Sequence, residues 1–256
     1  MSALVMAAAV LAVTLWGGWP FRLLWIAIAG LAAYEWFSMS SRGHAAAGGI
    51  AVAATGLALG FSPLSDHALA GLSAAAALIG AVATPFTRSR LPLELCGVAY
   101  ALAFALVAPA LRSLPELGLS VVLWSFAVVW FTDNAAYFAG RQFGGPKLMA
   151  SVSPKKTWSG AIGGVIAGSI GGYAVWALSP EAYRIAGPGL AIAGSAAGSI
   201  ASQAGDLFES ALKRRFGAKD SGWLIPGHGG FLDRLDGYWA VLVFAGLVPF
   251  LVSPQI

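Results

Sequence analysis

Ten charged side chains crowd into residues 206–236: Asp206, Glu209, Lys213, Arg214, Arg215, Lys219, Asp220, Asp233, Arg234 and Asp236. On a helix, Asp206, Glu209, Ser210 and Lys213 share one face, because neighbours three and four apart lie together. Asp233 and Asp236 are three apart, so one helical turn would bring their carboxylates close. Clustered carboxylates repel, and a divalent cation relieves the repulsion. Oxygen ligands of this kind suit Mg²⁺, which keeps waters and substrate phosphate in its shell. Asp206, Asp233 and Asp236 are therefore candidate metal ligands. The structural alternative is an interfacial network of salt bridges.

Between the acids lies Pro226-Gly227-His228-Gly229-Gly230. Glycines permit a tight turn with exposed backbone, and such a turn can offer N–H groups to phosphate oxygens. The Lys-Ser/Thr ending of a P-loop is absent. With Lys213, Arg214, Lys219 and Arg234 nearby, the segment fits a phosphate-rich ligand. His228 fits either that loop or a structural hydrogen bond. Upstream, Asp133 sits in Trp130-Phe131-Thr132-Asp133-Asn134, inside an apolar run. An acid there is a functional candidate, with polar glue between helices as its alternative. Ser153-Pro154-Lys155-Lys156-Thr157-Trp158 offers two lysines, two hydroxyls and a Trp, suited to a lipid phosphate or to anchoring. Glu35, in Tyr34-Glu35-Trp36, is expected near a membrane boundary.

The elements that must position these groups are apolar helices. The chain has 256 residues, 58% hydrophobic and 10% charged, with 15 Lys and Arg and 11 Asp and Glu. Ordinary soluble domains carry roughly 25% charged residues. The composition excludes a soluble enzyme, a disordered chain and, with Cys96 the one cysteine, a disulfide scaffold or Cys-rich zinc site. About nine spans are expected, near 3–18, 21–38, 45–62, 66–84, 93–112, 118–140, 157–178, 187–207 and 236–253. The fold class is thus an all-α polytopic integral membrane protein.

Arg42, Arg88, Arg90, Arg141, Lys147, Lys155, Lys156, Lys213, Arg214, Arg215, Lys219 and Arg234 fall on one side of that arrangement; Arg22, Arg112 and Arg184 fall on the other. The basic-rich side is expected to be cytoplasmic. The net charge of +4 follows from this topology and does not require nucleic acid. Gly160, Gly164, Gly168 and Gly172 recur every four residues, as do Gly194, Gly198, Ser202 and then Asp206. Small residues on one helical face let backbones approach closely. The second stripe ends in a carboxylate, pointing to a polar site beside a packed face.

Ser210 to Asp236 reads SALKRRFGAKDSGWLIPGHGGFLDRLD. It resembles the signature of the phosphatidate cytidylyltransferase, or CDP-diacylglycerol synthase, family. The resemblance runs through Ser210, Lys213-Arg214, Lys219-Asp220, Pro226, His228-Gly229-Gly230, Asp233-Arg234 and Asp236. Asp133, Tyr137, Gly140-Arg141 and the SPKKTW segment are also similar to that family. It covers residues 95–256 well, and the earlier spans by hydropathy.

The resemblance implies a reaction in which CTP and phosphatidic acid give CDP-diacylglycerol and pyrophosphate. It implies Mg²⁺, with a second metal ion left open, in the inner (plasma) membrane with the polar site on the cytoplasmic side. It implies Asp206, Asp233, Asp236, Lys213 and Lys219 as catalytic groups. Asp133, Lys155, Lys156, Ser210, Arg214, His228, Gly229, Gly230 and Arg234 would bind substrate. Residues 1–92 would be N-terminal transmembrane helices, and 93–256 the catalytic region with its signature loop at 210–236. The partners implied are CTP, phosphatidic acid, the bilayer and a second copy in a homodimer. Two features depart from the family pattern. Ser159 stands where relatives often have Glu, so a role of that Glu does not transfer. The chain also starts almost directly in an apolar run, where relatives often have a basic lead-in.

Two other classes remain open on the residues alone. A CDP-alcohol phosphatidyltransferase needs Asp-Gly-x-x-Ala-Arg; Asp236-Gly237 to Ala240 approaches it, but Val241 replaces the Arg. An ion-coupled transporter would use Asp133 and Asp206, yet would leave the signature segment unexplained.

Overall fold

The computed structural model describes residues 2–40, 43–62, 66–86, 89–180, 187–225 and 229–252. Among them the chain forms α1 (Ser2–Trp16), α2 (Gly18–Ser40), α3 (Ala45–Gly60), α4 (Asp66–Ala83), α5 (Arg90–Arg112), α6 (Gly118–Phe143), β1 (Lys147–Met149), β2 (Ser153–Thr157), α7 (Trp158–Leu178), α8 (Pro188–Arg215) and α9 (Leu232–Val252). A single 3₁₀ turn, Thr84–Phe86, follows α4. Among the described residues, five stretches are long and apolar enough to cross a bilayer: Gly18–Ser40, His67–Phe86, Leu91–Arg112, Gly118–Phe143 and Trp158–Leu178.

The chain divides into two compact units, one of Met1–Val122 with Gly246–Ile256 and one of Leu123–Ala245. In the first, α2, α3, α4 and α5 pack together. Its core is aromatic: Trp25 stacks on Phe104 with centroids 6.0 Å apart, and Trp36 lies 5.4 Å from Tyr100. Helices α2 and α3 approach at Gly30 and Gly49, where a Cβ on either would press on the other's carbonyl oxygen. Helix α5 packs against α2, α3 and α4. Glu35 is fully buried in α2.

The second unit positions the polar residues. Gly160, Gly164, Gly168 and Gly172 are all buried along α7, as their spacing predicts. A Cβ on Gly160 would meet the carbonyl oxygen of Ala136, and one on Gly168 would strike Thr132 and Ser199. Without a hydrophobic drive between helices in lipid, such close approach supplies the packing. Polar pairs add to it: the Thr132 and Ser199 hydroxyls lie 2.7 Å apart, and the Trp124 indole N–H donates to Ser195 Oγ at 2.9 Å. The α8 stripe is rotated from the expected one. Among the described residues nothing lies within 4 Å of a Cβ placed on Gly194, whereas Ser195, Gly198, Ser199, Ser202 and Gly205 are buried. Gly205 approaches the carbonyl of Asp236, and Gly237 approaches Ser202, so α8 and α9 cross with little between their backbones.

The seventh helix starts within one residue of its expected start at 157, and SPKKT precedes it. That segment forms β2, paired antiparallel with β1 in the register Lys147↔Thr157 and Met149↔Ser153, so the fold is helical with one small hairpin. Gly144 and Gly145, with φ of 60° and 96°, let the chain leave α6 and enter that hairpin. Helix α8 runs past residue 207 to Arg215. It stops in a Schellman arrangement: the N–H of Ala218 donates to Lys213 O at 2.8 Å and that of Gly217 to Arg214 O at 3.1 Å. Gly217 takes the required φ of 68°.

Candidate active site

A cavity of about 370 Å³ opens in the second unit. Helix α6 contributes Asp133, Ala136, Tyr137, Gly140 and Arg141, and the hairpin contributes Leu148, Lys155, Lys156 and Thr157. Gly160 and Ala161 come from α7, and Gln203 and Asp206 from α8. Four sequence candidates, Asp133, Lys155, Lys156 and Asp206, thus share one wall system. Lys156 forms an ion pair with Asp206, and their side chains keep 26% and 33% of their exposure. Both groups therefore remain within reach of an incoming ligand.

Local folding fixes the lysines. Thr157 ends β2 and caps α7, accepting from the Gly160 N–H at 3.2 Å. Ser159, where a Glu was expected, donates to the carbonyl oxygen of Gly144 and lies 3.0 Å from Thr157 Oγ1. It ties the hairpin to the end of α6. Gln203 escaped the sequence reading because a lone amide in an apolar run looks like packing. Its Nε2 donates to Ala161 O at 3.2 Å. Its position three before Asp206 was the available signal, since both share a helical face.

A second polar group lies farther along α8. Lys213 Nζ is 2.7 Å from Glu209 Oε2 and donates to Asp233 Oδ1 at 2.5 Å. The other oxygen of Asp233 accepts from Ser221 N at 3.0 Å, Ser221 Oγ at 3.1 Å and Gly230 N at 2.8 Å. The side chains of Glu209 and Asp233 retain only 1% and 8% of their exposure. Both oxygens of Asp233 are thus occupied, and the acid closes the signature segment on itself. Asp233 and Lys213 lie outside the five stretches long and apolar enough to cross a bilayer. Burial raises the Asp233 carboxyl, but Lys213 and the Gly230 and Ser221 N–H groups outweigh it and hold the acid below its ordinary value. Burial opposes the Lys213 charge, but Glu209 and Asp233 hold the ammonium above its ordinary value.

Gly229 shows why the turn needs glycine. Its φ is 82°, and a Cβ would sit 2.7 Å from Asp233 Oδ2. The N–H of Ile225 donates to Gly229 O at 2.9 Å and pinches the turn. His228 lies outside the described residues. Asp236, on the same turn of α9 as Asp233, accepts from the Gly237 N–H at 2.7 Å and interacts electrostatically with Asp206, Glu209 and Asp133. Arg214 turns away, donating to Ala218 O at 3.2 Å. Lys219 and Arg234 are exposed, and Ser210 is half-buried. None of these four lines the cavity.

Among the described residues, no three His, Cys, Asp or Glu side chains converge as a metal-binding set. The donors still suit Mg²⁺, which needs only one or two protein carboxylates when waters and substrate phosphates complete its shell. The half-exposed Asp206 carboxylate, carrying an ammonium where a cation would lie, has that character. The saturated Asp233 carboxylate does not.

A helical membrane scaffold holding acids and bases on one cavity agrees with the sequence relationships. The chain belongs to the cytidylyltransferase family, whose model matches residues 1–252. It is 42% identical over 235 residues to the phosphatidate cytidylyltransferase of Brucella suis biovar 1 (strain 1330), covering 88% of this chain and 84% of that protein. The phosphatidate cytidylyltransferase of Haemophilus influenzae is 42% identical over 142 residues, 54% of this chain and 48% of its own. That of Staphylococcus haemolyticus is 44% identical over 125 residues, 49% and 47% respectively.

Proposed function

We propose that this chain transfers the cytidylyl group of CTP to phosphatidic acid, giving CDP-diacylglycerol and pyrophosphate. The observation that carries the reading is the cavity in which Asp206 and Asp133 meet Lys155 and Lys156 beside apolar helices. A nucleotide needs cations for its phosphates, and a lipid needs an apolar flank. In the reaction, an oxygen of the lipid phosphate attacks the α-phosphorus of CTP. The new P–O–P link forms as the α–β bond breaks, and pyrophosphate leaves with the electron pair.

Asp206 and Asp236 are the acids assigned to Mg²⁺, with Asp133 within their electrostatic range. When bound, the ion would offset phosphate repulsion and stabilise the leaving pyrophosphate. Lys156 then turns from Asp206 to phosphate oxygens, and Lys155 adds charge from the same strand. Lys213, Asp233, Gly229 and Gly230 shape the signature segment, with Lys219, Arg214 and Arg234 on its exposed side, and His228 is assigned to substrate binding with them on the sequence resemblance alone. Ser210, on the same α8 face as Asp206, supports that segment.

The excess of Lys and Arg on one side supports a cytoplasmic-facing site in the plasma membrane, and about nine spans and a homodimer complete the proposal. The test is purified protein in detergent with labelled CTP, phosphatidic acid and Mg²⁺. Lipid-linked CDP product that disappears with chelator and returns with Mg²⁺ supports the reading. Well-folded protein that makes none overturns it.

A further inference from the structure

Three cations line the cavity: Arg141, Lys155 and Lys156. Lys156 is engaged by Asp206. Arg141 is not engaged by an acid among the described residues. Its Nη1 donates to Tyr137 Oη at 3.1 Å, one helical turn back on α6. That bond leaves most of the guanidinium fork for another acceptor, and the fork matches two oxygens of one phosphate.

The position is as informative as the charge. Arg141 stands in the last turn of α6, at the end of an apolar stretch long enough to span a bilayer. Headgroups lie at that level. Phe138 and Phe143, on the same turns of α6, are 63% and 77% exposed, so large apolar surface flanks the cation. Tyr137 packs edge-on to Phe138, with centroids 5.3 Å apart. Asp206, by contrast, enters the cavity from α8, where it would repel an anion that arrived without a cation.

Resting on the reaction proposed above, we infer that Arg141, positioned by Tyr137, receives the phosphate of the lipid substrate, leaving the acid-lined part of the cavity to the nucleotide. A phosphate held by Arg141 has two possible sources, the lipid and CTP, and the Michaelis constants separate them. Arg141→Ala and Arg141→Lys are assayed in mixed micelles, varying phosphatidic acid and CTP in turn. Loss of a charge-assisted contact raises KM for phosphatidic acid by about tenfold or more in Arg141→Ala, with KM for CTP unchanged. Arg141→Lys lies between. Tyr137→Phe, acting only through the arginine, raises the same constant less and leaves kcat in place.

Equilibrium binding of labelled short-chain phosphatidic acid, without CTP, gives a second readout, and it weakens in the same order. The inference is overturned if KM for CTP rises instead, or if lipid binding and its KM stay at wild-type values. If Arg141→Ala does not fold, Arg141→Lys and Tyr137→Phe decide. If wild-type protein makes no CDP-lipid, the reaction fails as a reading, while the binding series still decides the place of Arg141.

Discussion

Lys156, on a short β-strand, and Asp206, on helix α8, meet as an ion pair inside the cavity and neutralise one another there. The pair keeps a carboxylate poised without leaving its charge uncompensated near apolar helices.

Asp206→Asn should lower turnover by about 100-fold or more, because charge at the reacting phosphates is then poorly compensated. Lys156→Met should also impair turnover. The double variant should fall short of the summed losses, since the two groups interact directly. Labelled-CTP assays on the four proteins check this. Strict additivity would remove the pair from the mechanism.

Asp233→Asn should act differently. It leaves Lys213 buried with Glu209 alone and weakens the bonds to Ser221 and Gly230. Breaking a buried ion pair destabilises by about 3 kcal/mol. Thermal unfolding in detergent should therefore shift downward together with lost turnover, whereas Asp206→Asn should melt near wild type.

The acid limb of stability should carry the same signature. The Asp233 carboxyl is held below its ordinary 3.8, so its contribution is complete above pH 3.8 and is lost as pH falls through the lowered folded value. Lys213 is held above its ordinary 10.5, so its contribution is complete below pH 10.5 and is lost only as pH rises through the folded value. The gap in melting temperature between wild type and Asp233→Asn should be level at neutral pH and narrow below 3.8. A gap that widens on acidification would contradict the assignment.

Gly229→Ala introduces a side chain at φ 82° and against Asp233 Oδ2. Left-handed backbone costs about 1–2 kcal/mol for a non-glycine residue. The variant should lose stability and activity together, while Gly194→Ala, inside α8 where a Cβ meets nothing within 4 Å among the described residues, should lose neither.

The helices were largely legible because apolar length in a bilayer is a strong signal. The expected start at 45 and ends at 112 and 178 coincide with the bounds of α3, α5 and α7. The face shared by Asp206, Glu209 and Lys213 was legible because residues 206–215 continue α8, and the Glu209–Lys213 pair is the result. The hairpin was not legible. β1 and β2 are too short for a periodicity, and Pro154 reads as punctuation before a helix. The partners of Asp233 were not legible either. Sequence spacing places Asp233 and Asp236 on one turn but cannot say that Lys213, Ser221 and Gly230 take up the Asp233 carboxylate. Gln203 and Arg141 were visible as residues, and the cavity that gives them meaning exists only once α6, α7 and α8 close.

The direct passage from β2 into α7 has an entropic consequence. Thr157 is both the last strand residue and the helix cap, so the backbone carrying Lys155 and Lys156 is already ordered before any anion arrives. Binding then restricts only the rotamers of those side chains, at most about 2 kcal/mol for each lysine. A flexible loop would forfeit a further 1–2 kcal/mol for every residue it had to immobilise. The hairpin thus converts a lysine pair of ordinary chemistry into one whose affinity for phosphate is not spent on ordering the chain.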